Sequence, residues 1–513
     1  MHIHEWTAGY VADLDYTYGY YPELNPLRLR LALLLAGYAV GRIRTACELG
    51  FGQGVSINVH AAASSVEWHG TDFNPSQAAF AREVADASGS GAQLSDQAFS
   101  EFCNRTDLPE FDLIGLHGIW SWISDANRSV IVEFIRQKLR PGGILYISYN
   151  TQPGWAPFLP LRNLLTEHAD VMGSAGSGIS ERIDGALNFA DRLFATDPAF
   201  VRANPQITER LKALGGQGRN YLAHEYFNRD WRPMHFSEVA RLLSPAKVSY
   251  CGTAQLWESI DLLNLTAEQR ELLADIRDPV FSQSIRDFMV NQQFRRDIWM
   301  KGPRSLSAIA KDEELRRLPI MLASRSQEVS PKIKWRLGEA SLSEAVYGPL
   351  LECLSGYEVK TIGEVAKDLE AKGVGFSSLV ETMTVLASSH HITAVQSEVG
   401  MENVRAQCRR LNALFCDRAR GDGEIAVLAS PLTGGGVTVT RVEQLFVSAL
   451  AAGQQKPEDW ARYAWNIVSV HGQKIIKDGV VLETLEANVA ELCGQAKEFS
   501  MKKLPSLRAL GVV

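Results

Sequence analysis

The run Ala46-Cys47-Glu48-Leu49-Gly50-Phe51-Gly52-Gln53-Gly54 constrains the fold more than any other stretch of the chain. Glycine at every second position lets the backbone turn tightly and approach a ligand with no Cβ in the way. The spacing is E-x-G-x-G-x-G, with no lysine after it. It therefore differs from G-x-G-x-x-G and from loops ending in Gly-Lys-Ser/Thr, the two common phosphate cradles. Taken alone, the triplet fits either a ligand loop or a bare strand-to-helix turn. Val66 to Asp72 reads as a second short strand ending in an acid. An acid about 20 residues after a glycine loop, at the carboxyl end of the next strand, is placed to accept from both hydroxyls of a ribose. Asp72 has that position, although aspartate also suits a helix N-cap. Asn74-Pro75 opens the next helix, with proline in its first turn.

Strands and helices then alternate. Gln93 to Phe99 reads as a third strand and its loop. There Asp96 can accept from an adenine amino group while Ala98 and Phe99 flank the ring; a plain surface loop reads equally well. Phe111 to Gly118 is an apolar run bounded by turn formers, hence a buried parallel strand. Val130 to Leu139 reads as a helix, Arg140-Pro141-Gly142-Gly143 breaks it, and Ile144 to Tyr149 is another strand. This alternation predicts an α/β fold with a doubly wound parallel sheet and ligands at the carboxyl ends of its strands.

Residues 156–216 look helical, broken at Gly173-Ser174-Ala175-Gly176-Ser177-Gly178. His235 to Leu243 reads as the next core helix, with Ser237 as N-cap, and Lys247 to Gly252 as a strand. The expected layout is a core of residues 1–155 and 221–262, with 156–220 inserted as a helical lid over the strand ends. The sheet is expected to close near Leu256, and 263–330 to be a helical linking segment. Residues 331–513 are expected to be mostly helical. Three helices at Ser343–Ser355, Thr361–Lys372 and Ser377–Ser389 precede a strand at Ile392, which suggests a winged-helix arrangement. Gly434 to Val439 can supply a turn and strand. Arg405, Arg409, Arg410, Arg418 and Arg420 make a modest basic run, read as a solvated face. This region is expected to recruit substrate or to form a homodimer.

A net charge of −7 argues against a broad face for nucleic acid. The seven cysteines are scattered and form no C-x-x-C pair, which points to reduced thiols, no metal site and a cytoplasmic protein. Met1-His2-Ile3-His4-Glu5 does not read as a signal peptide, and no apolar run is long enough to insert in a membrane.

Several blocks carry a more specific signal. Asp15 to Pro22 and Asn25-Pro26-Leu27-Arg28 precede the glycine loop. Leu116-His117-Gly118-Ile119-Trp120-Ser121-Trp122-Ile123, Ser148-Tyr149-Asn150-Thr151-Gln152-Pro153-Gly154-Trp155 and Tyr221 to Phe227 follow it. With the loop, these resemble class I S-adenosylmethionine (SAM)-dependent methyltransferases that carry a methyltransferase regulatory domain. That family includes bacterial lysine methyltransferases acting on outer-membrane proteins. The resemblance implies a Rossmann-like sheet with SAM as cofactor. It implies that Tyr21, Glu48, Gly50, Gly52, Gly54, Asp72, Asp96, Ala98, Phe99 and His117 contact the cofactor. Tyr16, Tyr18, Tyr20 and Tyr21 are expected to close over its methionine end. His117, Tyr149, Asn150, His224 and Glu225 are the catalytic candidates, with His117 equally readable as a structural histidine. Trp120, Trp122 and Trp155 are candidates to wall a lysine channel by cation–π attraction, or else to pack the lid. The loop departs from the family's usual E-L-G-C-G-D-G-G-N, with Phe51, Gln53, Val55 and Ser56 at the differing positions. The implied substrate is a protein lysine. The alternatives are O-methylation of a glycan or small molecule, and a non-catalytic SAM-binding scaffold. No Asn/Asp-Pro-Pro-Tyr motif is present, which disfavours methylation of a planar amine such as adenine.

Overall fold

The computed structural model describes residues 10, 16–173, 177–470 and 472–513. The Met1 to Glu5 stretch, Asp15 and Ser174-Ala175-Gly176 lie outside the described residues. Seven strands form the central sheet: β1 (Thr45–Leu49), β2 (Glu67–Thr71), β3 (Gln93–Ser95), β4 (Phe111–Leu116), β5 (Leu139–Asn150), β6 (Val248–Thr253) and β7 (Phe294–Lys301). Their order is β3-β2-β1-β4-β5-β7-β6. β1 to β5 are parallel, and β7 runs antiparallel to both of its neighbours. This is the class I methyltransferase sheet. The order reverses between β1 and β4, so the crevice for a ligand opens above the carboxyl ends of those strands.

The sheet does not close near Leu256. Its seventh strand lies at Phe294–Lys301, inside the segment expected to be helical. A single strand reached through helices gives no local periodicity that separates it from a linker. Only its pairing with β5, from Ile144 opposite Met300 to Asn150 opposite Phe294, defines it. Ser237 is likewise not a cap: the helix Phe236–Leu243 begins one residue earlier, after His235.

The helix after the glycine loop, Val55–Ala63, is buried at every residue. A helix buried at every residue, Ser56, Asn58 and His60 included, must be covered on all sides. The sheet covers one side; the long helix Glu398–Arg418 and the hairpin Val427–Ser430/Gly435–Thr438 cover another. Arg405, Arg409, Arg410 and Arg420 are exposed and Arg418 is half-buried, so the basic run is largely the solvated face expected, with two contacts to the neighbouring helix. Arg410 donates through Nε to the Ser88 carbonyl at 2.8 Å, and the Arg418 guanidinium lies 4.5 Å from the Phe80 ring centre. Arg405 and Arg420 pair with acids of their own segment.

Among the described residues, five helices between Leu159 and Tyr226, the segment expected to be a lid, pack around their own apolar core, which includes Leu161, Ile183, Leu211 and Tyr226. Beyond β7, strands Lys360–Thr361, Pro319–Leu322 and Ile392–Ala394 form a small antiparallel sheet. Helices Glu344–Leu354, Ile362–Glu370 and Phe376–Ser388 pack with it as a winged-helix-like unit. Its middle strand precedes residue 331, again within the segment expected to be helical. The hairpin after Gly434 is separate from this sheet. No described helix is long and apolar enough to cross a membrane.

Candidate active site

The floor of the crevice is the loop after β1. Gly50, Gly52 and Gly54 all have positive φ, at 73°, 58° and 70°, a region that costs other residues strain. Space is also short. A Cβ on Gly54 would meet the Ala81 Cβ at 2.4 Å, and one on Gly50 would meet Ile119 at 2.5 Å. The Phe99 ring comes within 3.6 Å of that second position, so Phe99 does reach the loop. Asp72 follows β2 and closes the loop from the side. Its Oδ2 accepts from the Gly52 N–H at 2.8 Å and its Oδ1 from the Asn74 N–H at 3.0 Å. Asn74, not Asp72, caps the next helix, accepting from Ser76 and Gln77. Each Asp72 oxygen keeps a lone pair for a further donor such as a ribose hydroxyl.

Burial dominates the charges here. It pushes the Glu48 carboxyl up to about 8, with Asp72 adding repulsion, and Asp72 itself up to about 6. Glu48 Oε2 is buried and has no hydrogen-bond partner among the described residues. A buried acceptor beside an open-backed glycine loop suits a ligand that brings donors or positive charge. These residues fit SAM, whose amino-acid end carries an ammonium beside a sulfonium.

Aromatic side chains roof the crevice. Tyr21 stacks on His117 at 3.7 Å between ring centres, and Tyr16 shares a hydrogen bond with Tyr21. Tyr10 meets Phe73 edge-on at 5.6 Å and lies 5.6 Å from His224, bridging β2 and the last lid helix, Arg219–Tyr226. Tyr16 also meets His224 edge-on, at 5.1 Å. Two of the four loop departures hold this roof down. Gln53 Nε2 donates to the Tyr16 carbonyl at 3.4 Å, and Ser56 Oγ accepts from the Tyr21 N–H at 3.2 Å. Tyr18 and Tyr20 do not join the roof. They turn toward Phe80 and His60, and the Tyr20 hydroxyl accepts from the Gly436 N–H.

Glu225 stands on the lid helix and bears on the hydroxyls of Tyr10, Tyr16 and Tyr21. Burial raises its carboxyl to about 7. His117, at the end of β4, is held neutral. Burial lowers it to about 4, partly offset by Glu23, while its Nδ1 bonds the Tyr146 hydroxyl at 2.8 Å. An imidazole that weakly basic is a poor proton acceptor near neutral pH.

The structure also separates residues that the sequence grouped. The two specific blocks are stitched together: Gly118 N–H donates to Ser148 Oγ at 2.8 Å, and Asn150 N–H to Ser121 Oγ at 2.9 Å. Asn150 stays on the face shared with Tyr146 and Ser148, and its buried Nδ2 has no partner among the described residues. Tyr149 is on the other face. Its hydroxyl donates to Asp297 at 2.7 Å, which leaves it no role at the crevice. Trp120 is fully buried in the core rather than on a channel wall. Trp155 packs inside the lid, with Trp231 edge-on and Arg210 already over its ring at 5.0 Å. Trp122 is buried, and its indole N–H has no partner among the described residues. Asp96 sits half-exposed beside Arg82 at 3.5 Å, and Ala98 starts a short helix braced by Glu101. Sequence reasoning missed Tyr10, Tyr146 and the ion pair Glu23–Arg296. Alternation along β5 points to Tyr146; nothing local marks the other three.

Fold and site together define a class I methyltransferase. A family model described as a predicted methyltransferase regulatory domain matches residues 218–301, which here supply the Glu225 helix, β6 and β7. The uncharacterized protein sll1526 of Synechocystis is 36% identical over 512 residues, covering 99% of each chain. The uncharacterized protein RP789 of Rickettsia prowazekii is 24% identical over 312 residues, 59% of this chain and 54% of that one. Among solved structures, PKMT2 from Rickettsia typhi in complex with AdoHcy matches 97% of this chain and 100% of its own. The TM-score is 0.70 at 15% identity, a likeness of fold. The chain belongs to the same family as the Synechocystis protein, that of class I methyltransferases with a methyltransferase regulatory domain.

Proposed function

We propose that this protein transfers methyl groups from SAM to lysine side chains of a protein substrate. SAM supplies a methyl carbon already activated by its sulfonium, so the chain must hold, orient and dry the reacting groups. Glu48, Asp72 and the three glycines hold the cofactor. Tyr10, Tyr16 and Tyr21 exclude water above it. A lysine must shed a proton before its nitrogen can form the new N–C bond as the S–C bond breaks. Glu225 takes that proton, because its carboxyl titrates near neutrality. That poised carboxylate, facing the tyrosine roof from the lid, is the observation that carries the reading. Gln53 has a structural role in docking Tyr16, which weakens the case for a non-catalytic scaffold.

The test is methyl transfer from isotopically labelled SAM to a mixed bacterial lysate, read by peptide mass spectrometry. Methylated lysine is expected. Label confined to glycans or small molecules would replace the lysine reading with O-methylation. Calorimetry with SAM alone that shows no binding would sink every SAM-dependent reading.

A further inference from the structure

A chain of hydrogen bonds runs through the two specific blocks and ends on His117. Gly118 N–H donates to Ser148 Oγ at 2.8 Å, so that oxygen accepts and its own proton is free to be donated onward. The Tyr146 oxygen, two residues back on the same face of β5, takes it: the Ser148 bond favours the ionised phenol, as a donated bond does. Tyr146 is fully buried, and burial holds it far above the usual tyrosine range, so it keeps its own proton. Its hydroxyl lies 2.8 Å from His117 Nδ1 and has no third partner among the described residues. Were Nδ1 the donor, the tyrosine proton would be buried with no acceptor, at a cost of about 1–3 kcal/mol. Tyr146 therefore donates to Nδ1.

A neutral imidazole carries one proton, and the bond made by one nitrogen decides that the other holds it. Burial keeps His117 neutral near pH 7. With Nδ1 accepting, the proton sits on Nε2. The ring cannot turn easily: Tyr21 stacks on one face at 3.7 Å, and Phe294 lies 6.3 Å away, tilted. Glu23 and Arg296 bear on the ring electrostatically, but they pair with each other at 3.1 Å and neither hydrogen-bonds it. His117 is half-buried, and its Nε2 is not among the enclosed polar atoms. That N–H therefore opens onto the crevice at the carboxyl end of β4. A fixed N–H of this kind recognises an acceptor and cannot take a proton.

We propose that Tyr146 and Ser148 are positioning residues, which fix His117 as an Nε2–H donor to an oxygen acceptor of the bound ligand. On the methyltransferase reading, on which this role rests, the acceptor is either the carboxylate at the amino-acid end of SAM or an amide carbonyl of the substrate chain beside its lysine.

The full-length protein, labelled with 15N-histidine and free of SAM, is read by NMR near neutral pH. The His117 signals are those missing from His117→Gln. A proton on Nε2 is expected, and a mixture of both tautomers in Tyr146→Phe. A proton on Nδ1, or an unchanged tautomer in Tyr146→Phe, overturns the proposal. Two further readouts locate the acceptor: S-adenosylhomocysteine affinity by calorimetry, and the lysate protein concentration that half-saturates methyl transfer. His117→Phe, which keeps only the stacking, is expected to worsen one of them about tenfold. His117→Gln, which offers an N–H near the Nε2 position, is expected to recover most of that loss. A loss in S-adenosylhomocysteine affinity assigns the acceptor to the cofactor carboxylate; a raised half-saturating concentration with that affinity held assigns it to the substrate. Equal behaviour of His117→Phe and His117→Gln in both readouts overturns the proposal, and this pair with the tautomer of the unaltered protein carries the test should Tyr146→Phe fail to fold. No binding of S-adenosylhomocysteine by the unaltered protein would overturn the methyltransferase reading instead, and the tautomer is read without it.

Discussion

The two faces of β5 carry buried polar clusters with opposite electrical arrangements. On the crevice side, Glu48, Asp72 and Glu225 are pushed up by burial, and no lysine or arginine among the described residues pulls them back. On the other side, Arg295 is fully buried between Asp287 at 2.5 Å and Asp297 at 2.9 Å, with Tyr149 donating to Asp297. Burial also raises those two acids, but Arg295 opposes it, and both acids keep Arg295 charged. One cluster supplies its own counter-charge and serves the fold. The other lacks one, as a site awaiting a cation does.

The largest effect that would sharpen this contrast is on rate. Glu225→Gln should lower kcat by about 10²–10⁴-fold with SAM affinity held. The rise of kcat with pH through about 7 should vanish with it. Loss of SAM affinity instead of rate would make Glu225 a cofactor residue. Arg295→Met should do the reverse, costing about 3–5 kcal/mol of stability by stranding two buried acids. Urea denaturation reads that loss; a stability change below about 1 kcal/mol would break the comparison. Asp72→Ala should weaken SAM about tenfold or more, since it removes the proposed ribose acceptor and frees the Gly52 N–H. Unchanged affinity in calorimetry would refute the assignment.

The smallest effect is pH-dependent stability. Acids whose folded pKa is raised stabilise the protein at low pH, and that contribution is lost as pH climbs through the folded value. Glu225 and Glu48 therefore lose it between about 4.5 and 8. His60 and His117, lowered to about 4, act the opposite way, but only below about 6.5. From pH 6.5 to 8 the melting temperature of the protein without SAM should fall. Glu48→Gln should flatten that fall, and saturating SAM should do the same by supplying positive charge. An unchanged slope in Glu48→Gln would remove Glu48 from the account.

How much of this was legible follows from how local each signal is. The glycine loop, Asp72 and the five parallel strands are each set by a few adjacent residues, and each sits where its pattern says, except that β5 starts at Leu139 and bulges through the Arg140-Pro141-Gly142-Gly143 stretch read as a break. Glu225 was legible only through a resemblance, because its raised pKa comes from burial under tyrosines remote in sequence. Tyr149 was misplaced, although the two-residue period of a strand separates it from Tyr146, Ser148 and Asn150. Trp120 and Trp155 are open in sequence between channel wall and packed core, because tryptophan serves cores and cation sites alike.

The sequence by itself determined a strand-loop-helix unit with a ligand-facing glycine loop, since positive φ and a missing Cβ are properties of single residues. It also determined the parallel half of the sheet, through apolar runs punctuated by turn formers. Only the tertiary structure decided that β7 enters the sheet, that the loop departures Gln53 and Ser56 dock the tyrosine roof, and which buried charges find partners. Those outcomes depend on pairings across tens to hundreds of residues, and no local pattern records a pairing energy.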